Sequence, residues 1–478
     1  MKLLVHPVYT HIQLELDKNP DEINILENIQ ARFTMTLQSY KKQWDYKNKK
    51  FKSGGKFQVE TVKLIEGQGL KYRFLSGFLE DVFALLLEYG LSEDNGTLDF
   101  DFSFNTEYVD FNRLQLQEEQ LRDYQLSGLQ KALKYSNALI VGCVGSGKTI
   151  CMAAILSLFR EHKALIMVPK KDLMEQLKAE FTRLVPNYKV ISKNELTPRI
   201  KYNALIDLPV NLSRMSQEEL REHTVLLMDE AHGAPAVQAM KTIEMQNAPY
   251  RYGFTATPEG RSDGRDKLIT GLFGKAIEIA EYKDLVKDSY SPELKIDFHY
   301  LGWQDDYVYL EDTLIVFNKR RNKYIFDLVN KHLAENKNPL VLLLCRRLDH
   351  VELLSVKYFP QAAVLTGDVT DRDEIIKDIR NGKYQVVIAS SIFSQGINIP
   401  EFTLGVNVSG GKSSILAEQK SGRMVRGEGV KTWIDIYDCY TNVLERHSLS
   451  RLHTYREAYG SERITFNNFP DNYSKHEK

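Results

Sequence analysis

Apolar positions recur along this chain with two different periods, and the change between them divides it. Up to about residue 112 the pattern is mixed and rich in aromatics. His11-Ile12-Gln13-Leu14-Glu15-Leu16 alternates residue by residue, which predicts a strand with one solvated face. From Asp21 to Phe33 the spacing puts Ile23, Ile25, Leu26, Ile29 and Phe33 on one side of a helix, with Asn19-Pro20-Asp21 as its start signal. Phe78 to Tyr89 predicts a second helix closed by Gly90, and Glu93-Asp94-Asn95-Gly96 predicts a turn.

After about Phe111 the rhythm becomes short apolar runs between longer helical stretches. Ala138-Leu139-Ile140-Val141, Ala164-Leu165-Ile166-Met167-Val168 and Val225-Leu226-Leu227-Met228 read as strands buried on both faces. Such runs belong to a parallel sheet wrapped in helices. A second set follows in Leu340–Leu344, Ala362–Leu365, Val386–Ala389 and Trp433–Ile436. The fold class expected is therefore α/β, with two parallel-sheet domains in tandem behind a small N-terminal α+β module. The expected boundaries are 1–112 for the module, 113–283 and 284–450 for the two sheet domains, and 451–478 for a C-terminal tail. Tyr282 to Pro292 is the candidate linker between the sheet domains.

A length of 478 residues suits this count of domains. With 43% hydrophobic and 27% charged residues, the composition is that of a globular protein. No apolar run reaches membrane-spanning length and the N-terminus lacks the apolar core of a signal peptide, so a cytoplasmic protein (host cytoplasm, if viral) without membrane contact is expected. Cys143, Cys151, Cys345 and Cys439 form no CxxC pair, which argues against structural zinc and a disulfide framework. The net charge of −1 gives no global attraction to nucleic acid, so any such affinity has to be local.

Gly142-Cys143-Val144-Gly145-Ser146-Gly147-Lys148-Thr149 fits GxxxxGKT between a predicted strand and a predicted helix over Ile150 to Phe159. Gly142, Gly145, Ser146 and Gly147 would let backbone N–H groups close around phosphates, helped by the partial positive charge of the helix N-terminus. Lys148 would reach the β- and γ-phosphates of ATP, and Thr149 would place its hydroxyl on Mg²⁺. The strand Val225 to Met228 runs into Asp229-Glu230-Ala231-His232. An acidic pair at that strand end suits a metal partner, Asp229, and a general base, Glu230.

Together these strings resemble the superfamily 2 helicases: the P-loop, DEAH and Thr255-Ala256-Thr257-Pro258 stand in the order of motifs I, II and III. The resemblance implies two RecA-like domains. It also implies that Arg122 and Gln125, in Leu121-Arg122-Asp123-Tyr124-Gln125, lie near the adenine and phosphates. Pro169 and Gln176 resemble motif Ia, a contact to the nucleic-acid backbone. Thr255, Thr257 and, in the motif V segment Ala389 to Pro400, Gly396 would couple ATP to the nucleic-acid groove; Asn398 stands where the family usually has Asp. Gln419-Lys420-Ser421-Gly422-Arg423-Met424-Val425-Arg426 matches QxxGRxxR, so that Gln419, Arg423 and Arg426 would complete the catalytic set from the second domain. An arginine supplied from a second body can add about 10³–10⁵ in rate, because phosphoryl transfer depends on positioning and charge neutralisation.

Within the superfamily, Gly253–Pro258 followed by Leu272-Phe273-Gly274, and Leu365-Thr366-Gly367, resemble the phage UvsW-type branch-migration helicases. That implies an ATP-dependent DNA helicase acting on forks and Holliday junctions in replication, recombination or repair. In the N-terminal module Tyr40 to Phe57 interleaves lysines with aromatics, and Lys42, Trp44, Lys49, Lys50 and Lys52 are candidate DNA contacts, since lysine neutralises phosphate and aromatics stack on bases. A solvated β-hairpin with ordinary aromatics is the competing account. At the level of function the rivals are a duplex translocase that never separates strands, an RNA helicase, and a nucleic-acid scaffold with a decayed ATPase.

Overall fold

The computed structural model describes the chain apart from residues 17–18, 42–43, 46–49, 52–55, 259–262, 303–311, 368, 370, 391–400, 412–416, 418–419, 423, 426, 472 and 474–478. Its residues fall into two compact units, Met1–Gly142 with Gly147–Ala280, and Glu281–Lys478 with Cys143–Ser146.

The first unit opens with β1 (Lys2–Val5), β2 (Tyr9–Gln13), α1 (Glu22–Arg32), β3 (Thr34–Lys41), β4 (Trp44–Asp45), β5 (Lys50–Phe51), β6 (Lys56–Lys63), β7 (Glu66–Gln68), β8 (Lys71–Leu75), α2 (Leu79–Glu88) and β9 (Asp99–Phe102). Five of the strands form a sheet in the order β7-β8-β2-β1-β9. Asp99-Phe100-Asp101-Phe102, in which acidic and aromatic residues alternate, forms β9, an edge strand parallel to β1. Gly90, at φ 75°, stops α2 as its position predicts. β3 pairs antiparallel with β6 as a hairpin, and β4 with β5 (Trp44 opposite Phe51, Asp45 opposite Lys50).

The same unit continues with α3 (Asp123–Ala132), β10 (Asn137–Gly142), α4 (Lys148–Leu158), β11 (Ala164–Met167), α5 (Lys171–Leu184), β12 (Val190–Ile191), β13 (Ala204–Asp207), α6 (Pro209–Leu212), α7 (Gln217–Arg221), β14 (Val225–Asp229), α8 (Val237–Gln246), β15 (Tyr250–Thr255), α9 (Asp266–Phe273) and β16 (Ala276–Ala280). All pairings in this sheet are parallel, in the order β12-β13-β11-β14-β15-β10-β16.

The N-terminal module and this sheet domain share one hydrophobic core, in which Leu75 and Phe78 join Ile269, Leu272 and Phe273. Glycine permits the contact: a methyl group at Gly77 would lie 2.1 Å from the Thr270 carbonyl oxygen, and one at Gly271 2.6 Å from the Phe78 ring. Tyr9 also donates to Glu244 (2.7 Å). Residues 1–112 are thus a module in topology but not a free-standing body.

The second unit holds α10 (Tyr282–Lys287), β17 (Glu293–Leu301), α11 (Lys319–Glu335), β18 (Val341–Cys345), α12 (Leu348–Lys357), β19 (Ala363–Leu365), α13 (Arg372–Arg380), β20 (Val386–Ser390), β21 (Leu404–Asn407), β22 (Val430–Asp438), α14 (Asn442–Tyr459) and β23 (Ile464–Asn467). Its parallel sheet has the order β19-β20-β18-β21-β22-β17-β23. Ranked by position along the chain, both sheets read third, fourth, second, fifth, sixth, first, seventh, so the same fold occurs twice.

Two sequence expectations need correction here. The candidate linker Tyr282 to Pro292 contains α10, whose Tyr282 packs in the core of the second unit and bonds Pro292 and Leu294 through its hydroxyl. The stretch 451–478 is no separate tail either: it completes α14, then adds β23 to the sheet edge beside β17, with Phe466 stacked on Phe298. Both were obscured because short polar segments carry few of the apolar positions that periodicity detects. Among the described residues no helix is long and apolar enough to cross a membrane.

Candidate nucleotide site

The register of the first sheet brings three separate strings to one edge. β15 lies between β10 and β14, with Val141 paired to Thr255 and Asp229 to Phe254. The P-loop, the Thr255 turn and the acidic pair therefore leave three adjacent parallel strands at their C-terminal ends. That edge, at a change of strand order, is where open α/β sheets bind ligands.

The P-loop geometry follows from its glycines. Gly145 and Gly147 have φ 87° and 75°, in the left-handed region that side chains avoid. Gly147 caps α4, leaving the first amides of that helix directed at the loop. Lys148 donates to the Gly142 carbonyl (2.8 Å), so its ammonium lies across the loop's mouth. Thr149 follows in the first turn, half-buried. Ser146 is buried within the loop.

Gln125 is brought to the same place. It is buried, its Oε1 accepts from the Arg122 amide (2.9 Å), and a methyl group at Gly147 would lie 2.3 Å from its Nε2. The Arg122 guanidinium donates to the Tyr124 hydroxyl (3.3 Å). The LRDYQ string therefore stands against the P-loop through Gln125, with Arg122 three residues before it.

At the end of β14 the backbone turns sharply, because Glu230 adopts φ 52° and ψ 51°. Its amide donates to the Asp229 carboxylate (3.0 Å). Burial and the neighbouring Glu230 charge push the Asp229 carboxyl well above the ordinary carboxylate range, while Lys148 pulls it back. Two adjacent, partly buried carboxylates favour a cation, and a carboxylate with a threonine hydroxyl is a hard oxygen set of the kind magnesium takes.

His232, a residue the sequence left without a role, links the motifs. Its Nδ1 lies 3.3 Å from Glu230 Oε2 and 3.3 Å from Thr255 Oγ1. The Thr255 hydroxyl in turn donates to the Thr257 carbonyl (3.1 Å) and accepts from the Thr257 amide (3.2 Å). Pro169 and Gln176 stand exposed, after β11 and on the second turn of α5.

In the second unit Ser390 ends β20 and is buried. Gly396, Asn398, Gln419, Arg423 and Arg426 lie outside the described residues, as do Lys42, Lys49 and Lys52; Trp44 and Lys50 are described in backbone only. Lys420, within the QxxGRxxR string, is buried. It donates to Asn407 Oδ1 (3.2 Å) and to the Ser409 hydroxyl, and its ammonium pKa is pushed down to about 8 by burial and by Arg451.

Comparison with known proteins agrees with this geometry. Residues 118–260 match the family model described as type III restriction enzyme, res subunit, and residues 323–428 match the helicase conserved C-terminal domain. The chain is 26% identical over 352 residues to the DNA 3'-5' translocase XPB2 of Sulfurisphaera tokodaii, covering 64% of this chain and 79% of that protein. It is 23% identical over 387 residues to the ATP-dependent DNA helicase uvsW of Enterobacteria phage T4, covering 70% and 74%. In fold it is similar to the DUF1998 helicase MrfA, crystallised with DNA, at a TM-score of 0.52 and 17% identity over 76% of this chain and 52% of that one. The two family models together span just over half of the residues and take in six strands of the first sheet and four of the second. The chain belongs to the ATP-dependent helicases of superfamily 2.

Proposed function

We propose that this protein is an ATP- and Mg²⁺-dependent DNA motor that unwinds or branch-migrates forked and four-way DNA. The observation that carries the motor is the convergence of the P-loop, the Thr255 turn and Asp229–Glu230 on three adjacent strand ends. Lys148 and the loop amides hold the phosphates, Thr149 and Asp229 hold the metal, and Glu230 takes the proton from the attacking water. Magnesium, when bound, neutralises charge on the β- and γ-phosphate oxygens. Gln419, Arg423 and Arg426 complete the set by opposing the charge that develops on the γ-phosphate.

DNA as the track is supported by the relatives named as a DNA translocase and a DNA helicase. Branched DNA is supported by the hairpin at residues 34–63, whose sequence interleaves lysine with aromatics. Pro169, Gln176 and the hairpin's Lys42, Trp44, Lys49, Lys50 and Lys52 are the proposed contacts. The relative named as a translocase favours a second reading, motion along duplex without strand separation.

ATP turnover and strand separation measured side by side on single strands, linear duplex, forks and four-way junctions, in DNA and in RNA, distinguish these. The proposal expects the greatest stimulation and remodelling with branched DNA. Turnover stimulated equally by linear duplex without product strands would support the translocase, and turnover indifferent to every nucleic acid would defeat both.

A further inference from the structure

The loop that leaves the ATP site does not end there. After Thr255 and Thr257 it passes Asp263, Gly264 and Arg265 and enters α9 at Asp266. Arg265 anchors the returning limb twice. Its amide donates to the Asp263 carboxylate (3.2 Å), and its guanidinium donates to the Pro235 carbonyl (3.4 Å), three residues beyond His232. Thr255 and Arg265 thus each touch the segment that follows β14, at His232 and at Pro235.

The other side of this loop carries the N-terminal hairpin. Gly264 has φ +73°, and a methyl group there would lie 2.3 Å from the Thr36 carbonyl oxygen, so the backbone of β3 rests directly on the loop. One turn on, Lys267 donates to the Thr34 carbonyl (2.9 Å). The hairpin's first strand is thus seated on residues 264–267, while the glycine pair Gly77 and Gly271 fixes the module's sheet to the same helix. A seat made of backbone contacts transmits displacement, because packed backbone has no rotamer with which to absorb it.

We infer that Gly264, Arg265 and Lys267 are positioning residues that couple the nucleotide state of the ATP site to the orientation of the hairpin at residues 34–63. Movement of Glu230 and His232 upon nucleotide binding or hydrolysis pulls on the Thr255–Thr257 turn and on Pro235. Pro235 holds Arg265, and the shift passes through Gly264 and Lys267 to Thr36 and Thr34. The hairpin is then a driven part of the motor and not a passive clamp. This rests on the ATP-site reading above, but not on what the hairpin grips.

Hydrogen exchange of the full chain, with and without a non-hydrolysable ATP analogue and Mg²⁺ and without DNA, tests it. Amides of Thr34–Lys41 and Lys56–Lys63 are expected to change protection when nucleotide binds, and the change is expected to vanish in Lys267→Ala and Gly264→Ala. Lys267 is on the surface, so its variant folds even if the glycine variant does not. In Lys267→Ala basal turnover should persist, while the ratio of DNA-stimulated to basal turnover falls by about fivefold or more, the lower end of ordinary coupling. A hairpin indifferent to nucleotide in the unaltered protein, or a response that survives Lys267→Ala, overturns the coupling. Failure of nucleotide to bind at all would instead overturn the ATP-site reading. Failure of the hairpin to affect junction affinity would overturn only the proposed DNA contacts.

Discussion

The Nδ1 atom of His232 stands 3.3 Å from the hydroxyl of Thr255, and the same nitrogen stands 3.3 Å from the Glu230 carboxylate. One imidazole therefore reports the state of the proposed general base to the neighbouring strand. Removing it should disconnect the two without emptying the site. His232→Ala is expected to bind ATP normally and to lose about tenfold of its DNA-stimulated turnover, within the range of ordinary coupling energies. Nucleotide titration and turnover with and without DNA check this; an unchanged stimulation ratio would count against the link.

Gly147 tests the P-loop from a different side. Its φ of 75° opposes a side chain, and so does Gln125 Nε2, which would lie 2.3 Å from a methyl group added there. Gly147→Ala should cost about 1–3 kcal/mol of local strain and weaken ATP binding. Adding Gln125→Ala removes the clash but not the φ penalty, so it should restore part of the affinity. Calorimetric titration of the single and double variants distinguishes the two causes.

Lys148 and Arg426 are proposed to act at different moments, and their variants should differ accordingly. Lys148→Ala loses a phosphate contact made already in the bound state, so both binding and turnover should fall. Arg426→Ala should retain nucleotide binding and lose about 10³-fold or more in turnover, as expected for an arginine acting on the transition state. Equal loss of affinity in both would remove Arg426 from that role.

Acid should weaken the second unit. His350 is buried with Nε2 2.9 Å from Asn322 Oδ1, and burial, aided by Arg321, lowers its pKa to about 3. His299, held 2.8 Å from the Tyr324 hydroxyl, is lowered to about 4, chiefly by burial. Unfolded imidazoles titrate near 6.5. Between these values the unfolded chain binds protons that the folded chain refuses, so stability is full above about pH 6.5 and declines as pH falls toward 4. Urea midpoints should drop between pH 7 and pH 4.5, and His350→Gln should narrow that drop. A midpoint independent of pH would contradict it.

The sequence makes the chemistry legible where function demands fixed residue types and burial demands uninterrupted apolar runs. The P-loop, the acidic pair and strands β10, β11, β14, β18, β19, β20 and β22 are of this kind. β15 is not, because Arg251, its second residue, is a buried guanidinium that donates to the Leu272 and Ala248 carbonyls. β17 alternates Glu, Lys, Asp and His with its apolar positions and looks half-solvated, although β22 and β23 flank it. The seat of the hairpin was hidden for another reason. Gly264 and Lys267 act through backbone carbonyls of Thr34 and Thr36, more than two hundred residues away, and a carbonyl leaves no mark in sequence. The charged, glycine-containing stretch from Glu259 to Arg265 directly after the Thr257 turn was the one available signal.

The two sheets share a strand order, yet the charges at the ends of their fifth strands differ. In the first sheet the fifth strand ends on Asp229, beside Glu230, a surplus of negative charge that calls for a cation from outside. In the second the fifth strand ends on Asn407, which donates to Asp435; the Arg451 guanidinium is that carboxylate's counter-ion (2.8 Å), while the Lys420 ammonium donates to the neutral amide oxygen of Asn407. The shared strand order thus carries different charges: Asp229 has a carboxylate neighbour, whereas Asp435 is paired with an arginine of its own unit.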